Sequence, residues 1–421
     1  MSKNNRSLQL FFFYATFCAA YVDFPILLSG IVVPSFLVLV FATPLILTET
    51  RSAIKRPEFR KLVLILAFLV VATFFFGEFT NILERLKGLL QTVTAICISY
   101  ISYSYLVRNP STLHKASLYC LTFIVLFSIT EAAGVTKELS DSFRNYVFPA
   151  DLVNYLYTSS DRDLSLAGFE RPKVFTAEPS YAAIAFFAMS IVAIKTNPTR
   201  KTFLLLMLSN LVMAYLYRSP IIYSTICIIL YIYSIEKKLY RLGSAGGLLF
   251  IIALAAVAWA LPSLLEVLGR PLLTGDLSSL DLAALNSQTI RFLVPIHTSL
   301  DVLSNYPLFG TGLTGKETIE RISTLYVPAQ SAMGTNSVFT LLMYFGAFGT
   351  AIYLLLFFSL LKTIDRHYLV TIVPCVTIYA NMLGGYETVK YWFFMFVILA
   401  AYKKSFPKHT LPNSQSNTIT H

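Results

Sequence analysis

Long apolar blocks separated by short polar clusters run through most of this chain. They are longer than the half-buried helices and strands of a soluble domain require. The blocks predict spans at approximately 8–24, 27–48, 62–77, 88–107, 116–135, 179–194, 202–217, 220–235, 244–264, 336–361, 368–385 and 390–402. The first two are parted only by Asp23 to Pro25. Since one bilayer crossing takes about 20 apolar residues, the expected fold is all-α, a polytopic integral membrane protein of about 12 transmembrane helices. A transmembrane barrel would show short alternating segments instead. The apolar stretch from Leu8 is too long for a cleavable signal and no small-residue cleavage site follows it.

Two intervals interrupt the pattern. Residues 136–178 and 265–335 form long loops that retain Phe, Tyr, Leu and Pro, so partly folded and partly interfacial structure is expected there. The domain organisation expected is one membrane domain over 1–421, with a polar tail at 403–421.

Basic residues orient the spans. With the N-terminus in the cytoplasm, 20 Lys and Arg fall in the cytoplasmic loops and termini. The short outer loops hold only Arg85, Lys87, Arg218 and Lys390. This asymmetry puts both termini in the cytoplasm and both long loops outside. Composition agrees with membrane embedding: 56% of the 421 residues are hydrophobic, only 13% are charged, and mean hydropathy is +0.66. The net charge of +11 follows from this topology and implies no nucleic-acid partner. Cys18, Cys97, Cys120, Cys227 and Cys375 all lie in apolar runs, without a disulfide framework or metal spacing. The acids Asp141, Asp151, Asp161 and Asp163 are scattered, so neither metal nor cofactor is expected.

The chemistry concentrates in two stretches. Arg171-Pro-Lys-Val-Phe-Thr-Ala-Glu178-Pro179-Ser180-Tyr181 gathers Arg171, Lys173 and Glu178 at the mouth of an apolar span, where a carboxylate is costly. Arg291-Phe-Leu-Val-Pro-Ile-His297 leads through Asp301 to Asn305-Tyr-Pro-Leu-Phe-Gly310-Thr-Gly312-Leu-Thr-Gly315, before the span opening at Asn336 with Gly346 inside it. Gly310 to Glu317 approaches a phosphate-binding loop, but Glu317 stands where Ser or Thr is needed and the segment lies outside, so its glycines are expected in turns.

The order of these motifs over about 165–355 resembles the O-antigen polymerase family of bacterial surface polysaccharides, and the related O-antigen ligases. The resemblance implies a polymerase of the bacterial inner membrane. It would join undecaprenyl-diphosphate-linked oligosaccharide repeat units by glycosyl transfer at the periplasmic face. Donor and acceptor lipid-linked glycans, membrane lipids, a flippase and a chain-length regulator are the partners implied. Arg171 and Arg291 would clamp diphosphate, or simply meet headgroups, Glu170 or Asp301. Arg218 would join that clamp or reach headgroups on its own. Glu178 is the leading general base, or the acidic cap of the helix opening at Pro179. Lys173, His297 and Asn336 complete the substrate-binding set, with His297 a possible base beside Asp301 or an ordinary surface histidine. The ligase pattern carries a histidine where this chain has Asn336. The competing readings are a ligase acting on lipid A-core and a lipid-linked oligosaccharide flippase, which would draw its cations inside the bundle instead.

Overall fold

The computed structural model describes residues 3–22, 26–28, 31–33, 36–77, 82–147, 169–239, 294–313, 315–323, 336–363, 366–382 and 385–403. It is helical apart from one hairpin. The helices are α1 (Lys3–Val22), α2 (Phe36–Ile54), α3 (Pro57–Phe75), α4 (Ile82–Arg108), α5 (Pro110–Ala132), α6 (Lys137–Val147) and α7 (Pro179–Thr196). They continue with α8 (Arg200–Tyr217), α9 (Pro220–Glu236), α10 (Val294–Asn305), α11 (Lys316–Ile322), α12 (Ser337–Leu361), α13 (Arg366–Met382) and α14 (Val389–Tyr402). Among the described residues five helices, α2, α4, α5, α7 and α12, are long and apolar enough to cross a membrane. Shorter apolar helices accompany them in α1, α9, α13 and α14.

Local chemistry sets the boundaries. Pro57, Pro110, Pro179 and Pro220 occupy first turns, where the missing N–H costs nothing. Thr199, Ser219, Asn336 and Thr388 cap α8, α9, α12 and α14 by accepting a backbone N–H. The expected span 27–48 is corrected. Strands β1 (Ile26–Leu28) and β2 (Ile31–Val33) pair antiparallel, with Leu28 opposite Ile31, and the helix starts only at Phe36. β-branched residues around Gly30 favour the hairpin, and Pro34 cannot continue a helix. The span expected at 244–264 lies outside the described residues.

Helices α7 and α14 form the centre. Every residue of α14 is buried, as is α7 from Ala182 to Lys195. A helix apolar all round belongs in the core. Around them α2, α5, α8 and α12 expose Leu47, Leu126, Leu208 and Leu355, the apolar outer surface a bilayer would cover.

Polar groups collect at two ends. At one end Glu49 pairs with Arg108, Glu58 with Lys403, and Lys195 with Glu236. At the other, the last turns of α1, α5 and α8 meet the first turns of α7, α12 and α14. That second end carries the loops.

Helix α12 is broken at Gly346, which has φ +64°. The stretch Pro307 to Gly312 is stitched into the gap. Thr311 and Gly312 donate their N–H groups to Met343 and Tyr344 carbonyls at 2.9 and 2.8 Å, while the Ala347 N–H reaches the Pro307 carbonyl at 2.9 Å. Backbone freed at a break in a membrane helix must find such partners within the protein. Arg85, only 2% exposed, locks the insert by donating to the Thr73, Phe76 and Thr311 carbonyls at 2.8–3.0 Å.

Candidate active site at the loop-bearing end

The segment from Glu170 to Glu178 is pinned from three helices. From α5, Glu131 accepts the Lys173 and Val174 N–H groups on its two carboxylate oxygens, each at 2.9 Å. From α6, Ser140 accepts the Phe175 N–H at 3.2 Å and itself hydrogen-bonds Glu131. Arg144, also on α6, donates to the Thr176 and Ala177 carbonyls at 2.9 and 3.1 Å. From α1, the Tyr21 hydroxyl donates to the Val174 carbonyl at 3.0 Å.

These bonds hold an uncommon backbone. Val174 and Phe175 have φ of +47° and +62°. Left-handed geometry costs an L-residue about 1–2 kcal/mol, and a β-branched valine adopts it rarely. Consecutive N–H groups in such a turn form a concave anion receptor. Here the receptor is filled by the chain's own Glu131. Strain of this kind persists only where the surroundings over-determine it.

The expected site residues divide. Arg171 is half-buried and within electrostatic reach of the Tyr217 hydroxyl, which hydrogen-bonds Ser128 at 3.0 Å. Arg218 caps α8 with φ +44° and places its guanidinium 5.7 Å from the Phe169 ring, which stacks on Tyr215. The structure thus brings Arg171 and Arg218 to one aromatic corner. Glu178 is the N-cap residue of α7, yet its side chain makes no cap bond; Oε2 accepts the Ser180 hydroxyl at 2.8 Å. Its carboxylate is therefore placed at the mouth of α7 without being consumed as a cap. Lys390, in the first turn of α14, lies over the Tyr181 ring at 4.1 Å.

Lys173, expected to bind substrate, is buried against Glu170 and lies 3.8 Å from Asp141, within the loop's internal ion pairs. Lys137 joins Glu170 at 2.6 Å. Partial burial would raise the Glu170 carboxyl, but hydrogen bonds from Lys137 and Lys173 outweigh it and leave the pKa lowered. The hydrogen bond to Glu170 correspondingly raises that of Lys137. Asn336 is fully buried; its side-chain oxygen accepts the Val338 N–H at 3.0 Å and its amide faces Asn381 at 3.4 Å. It builds the start of α12. His297 lies on α10 with Nδ1 3.3 Å from Asp301 Oδ2, within ion-pair range but without hydrogen-bond alignment. Its helix packs on α11 and α12. Arg291 lies outside the described residues. Among the described residues, no group of His, Cys, Asp or Glu is arranged to hold a metal ion.

Glu131 and Arg144 were not singled out from the sequence. The cost of a carboxylate near the end of an apolar span, applied above to Glu178, applies equally to Glu131. Arg144 gave no comparable signal, because apart from Asp141 its partners are backbone carbonyls more than thirty residues away. Comparisons with protein-family models, curated proteins and solved structures give no match to this chain.

Proposed function

We propose that the protein polymerises undecaprenyl-diphosphate-linked oligosaccharide repeat units by glycosyl transfer on the periplasmic side of a bacterial inner membrane. In this reading about twelve spans leave both termini in the cytoplasm. The observation that carries it is the pinned Arg171–Glu178 segment. It carries Arg171 near one end and, at the other, the Glu178 carboxylate at the mouth of the buried helix α7, while Arg218 lies over the adjoining Phe169 ring.

The chemistry assigned to these groups is a displacement at the anomeric carbon of the donor glycan. An acceptor hydroxyl oxygen forms the new bond to that carbon, and the bond from it to the diphosphate oxygen breaks. The electron pair leaves on the diphosphate. Arg171, Arg218 and Arg291 stabilise that charge, since guanidinium groups grip phosphate oxygens bidentately and stay protonated. Glu178 receives the hydroxyl proton. The capping role of Asn336 favours a polymerase over a ligase, because its side chain is occupied in starting α12.

In the source strain, Arg171→Ala and Arg218→Ala are each expected to collapse the long-chain polysaccharide ladder on a gel, at unchanged protein level. A full ladder from both variants would remove the clamp. Deletion of the gene separates the enzyme readings: one repeat left on the acceptor marks a polymerase, and none marks a ligase.

A further inference from the structure

Helix α6 begins at a fixed height. A Schellman turn joins it to α5: the Val135 N–H reaches the Thr130 carbonyl at 2.8 Å, the Gly134 N–H reaches the Glu131 carbonyl at 3.0 Å, and Gly134 takes φ +81°. A hydroxyl bond between Thr130 and Thr136, at 3.0 Å, and the Ser140 N–H on the Thr136 carbonyl, at 2.9 Å, close the joint. The helix therefore leaves directly from the end of a 23-residue apolar span.

Its 11 residues present three faces. Ser140 and Arg144 turn inward to the Glu170–Glu178 segment. Glu138, Asp141 and Asn145 make a polar face. Leu139, Ser142 and Tyr146, spaced i, i+3 and i+7, make a third, on which Leu139 is 60% and Tyr146 89% exposed. Phe143 lies at its edge and packs edge-on against Phe175 at 5.4 Å. The third face continues an apolar surface already present. Val135 in the joint is exposed, and so are Tyr119, Phe123, Leu126 and Ile129 along α5. On a membrane span, that surface of α5 meets lipid.

We propose that the Leu139–Tyr146 face of α6 is seated in the phospholipid interface at the loop-bearing end. A helix with one apolar face and a charged opposite side lies in that plane, and tyrosine suits the boundary between acyl chain and headgroup. The opposite face carries Ser140 and Arg144, so the membrane surface and the strained segment are held by one rigid helix. The proposal stands independently of the reaction assigned above.

The test uses the full-length protein in phosphatidylethanolamine–phosphatidylglycerol vesicles containing a phospholipid with a photoactivatable group near its glycerol, and adducts are mapped by peptide mass spectrometry. Adducts are expected on Leu139, Ser142 and Tyr146 at yields within about threefold of those on Leu126 and Ile129, and about tenfold lower on Glu138 and Asn145. Labelling of α5 without α6 overturns the proposal; that is the result expected if water, another protein or a second copy covers the face. In the double variant Leu139→Gln with Tyr146→Gln, the α6 adducts should vanish and those on α5 persist. Unchanged α6 labelling in that variant overturns it equally.

Discussion

Glu131 shows how one side chain can shape a site without touching a substrate. Its two oxygens answer two consecutive N–H groups, which no neutral side chain of similar size can do. In Glu131→Gln the amide oxygen keeps one bond, while the new N–H₂ opposes the second donor. A buried donor left unsatisfied costs about 1–3 kcal/mol, enough to release the left-handed turn at Val174 and Phe175. A lowered melting temperature and faster backbone exchange across 170–178 are the expected outcomes, by hydrogen-exchange mass spectrometry in nanodiscs. Exchange equal to wild type would show that Arg144 and Tyr21 suffice. At this scale the placement of Arg171, Glu178 and Arg218 beside helix ends was legible, because a charge beside an apolar block stands out in sequence. The fates of Lys173 and Asn336 were not legible. Each is decided by partners, Glu170 or Asp141 in one case and Val338 or Asn381 in the other, whose geometry exists only after folding.

Helix α12 and its insert are the most exacting element. A Cβ on Gly346 would lie 2.5 Å from the Gly310 nitrogen, and one on Gly310 would lie 2.5 Å from the Gly346 nitrogen. Both residues also have positive φ. Gly346→Ala is therefore expected to cost more than about 3 kcal/mol, through clash and strain together. Gly134→Ala makes the control, since Gly134 shares the positive φ but has nothing within 4 Å of the added carbon. It should cost about 1 kcal/mol. Folded yield by fluorescence-detected gel filtration compares them, and equal yields would mean that the insert tolerates a gap. The sequence predicted turns at these glycines and a helix with a glycine inside it. Their interlocking lay beyond reach, since a hydrogen-bond pattern between two such segments leaves no periodic trace. The span expected at 27–48 failed for a related reason. Apolar content alone does not separate a short hairpin from a helix, and here Pro34 and the residues around Gly30 decide it.

Across the whole molecule, charge is sorted to two ends with an apolar body between them. At the loop-bearing end the lowered Glu170 pKa gives stability that is complete above the unfolded value of about 4.3 and lost as pH falls through the folded value. Lys137, whose pKa is raised, contributes fully below about 10.4 and loses its part as pH rises through its folded value. Lys137 is nearly half exposed, so its share is screened and small. Protonating Glu131 also weakens an acceptor of this segment, so the comparison is with Glu170→Gln: backbone exchange over 169–178, corrected for its intrinsic pH dependence, should rise below about pH 4 by more in the wild type than in that variant. An equal rise in the two would show that Glu170 does not hold the segment. The sorting itself was legible, because basic residues between apolar blocks are counted directly. Which helices lie at the centre was not. Helix α12 is more apolar than either α7 or α14 and still exposes Leu355, so burial on all sides is a property of the assembly.

The Arg85 lock also constrains the order in which the protein can be made. Its partner carbonyl on Thr311 lies 226 residues further along the chain. At about 5–20 residues per second, roughly 10 to 45 seconds separate the synthesis of the two. Throughout that interval α4 carries a guanidinium that the finished protein buries, while one of the carbonyls it will hold has not yet been translated. Insertion of the early helices must therefore leave a wet or chaperoned gap beside α3 and α4, which the Pro307–Gly312 insert and α12 fill together at the end.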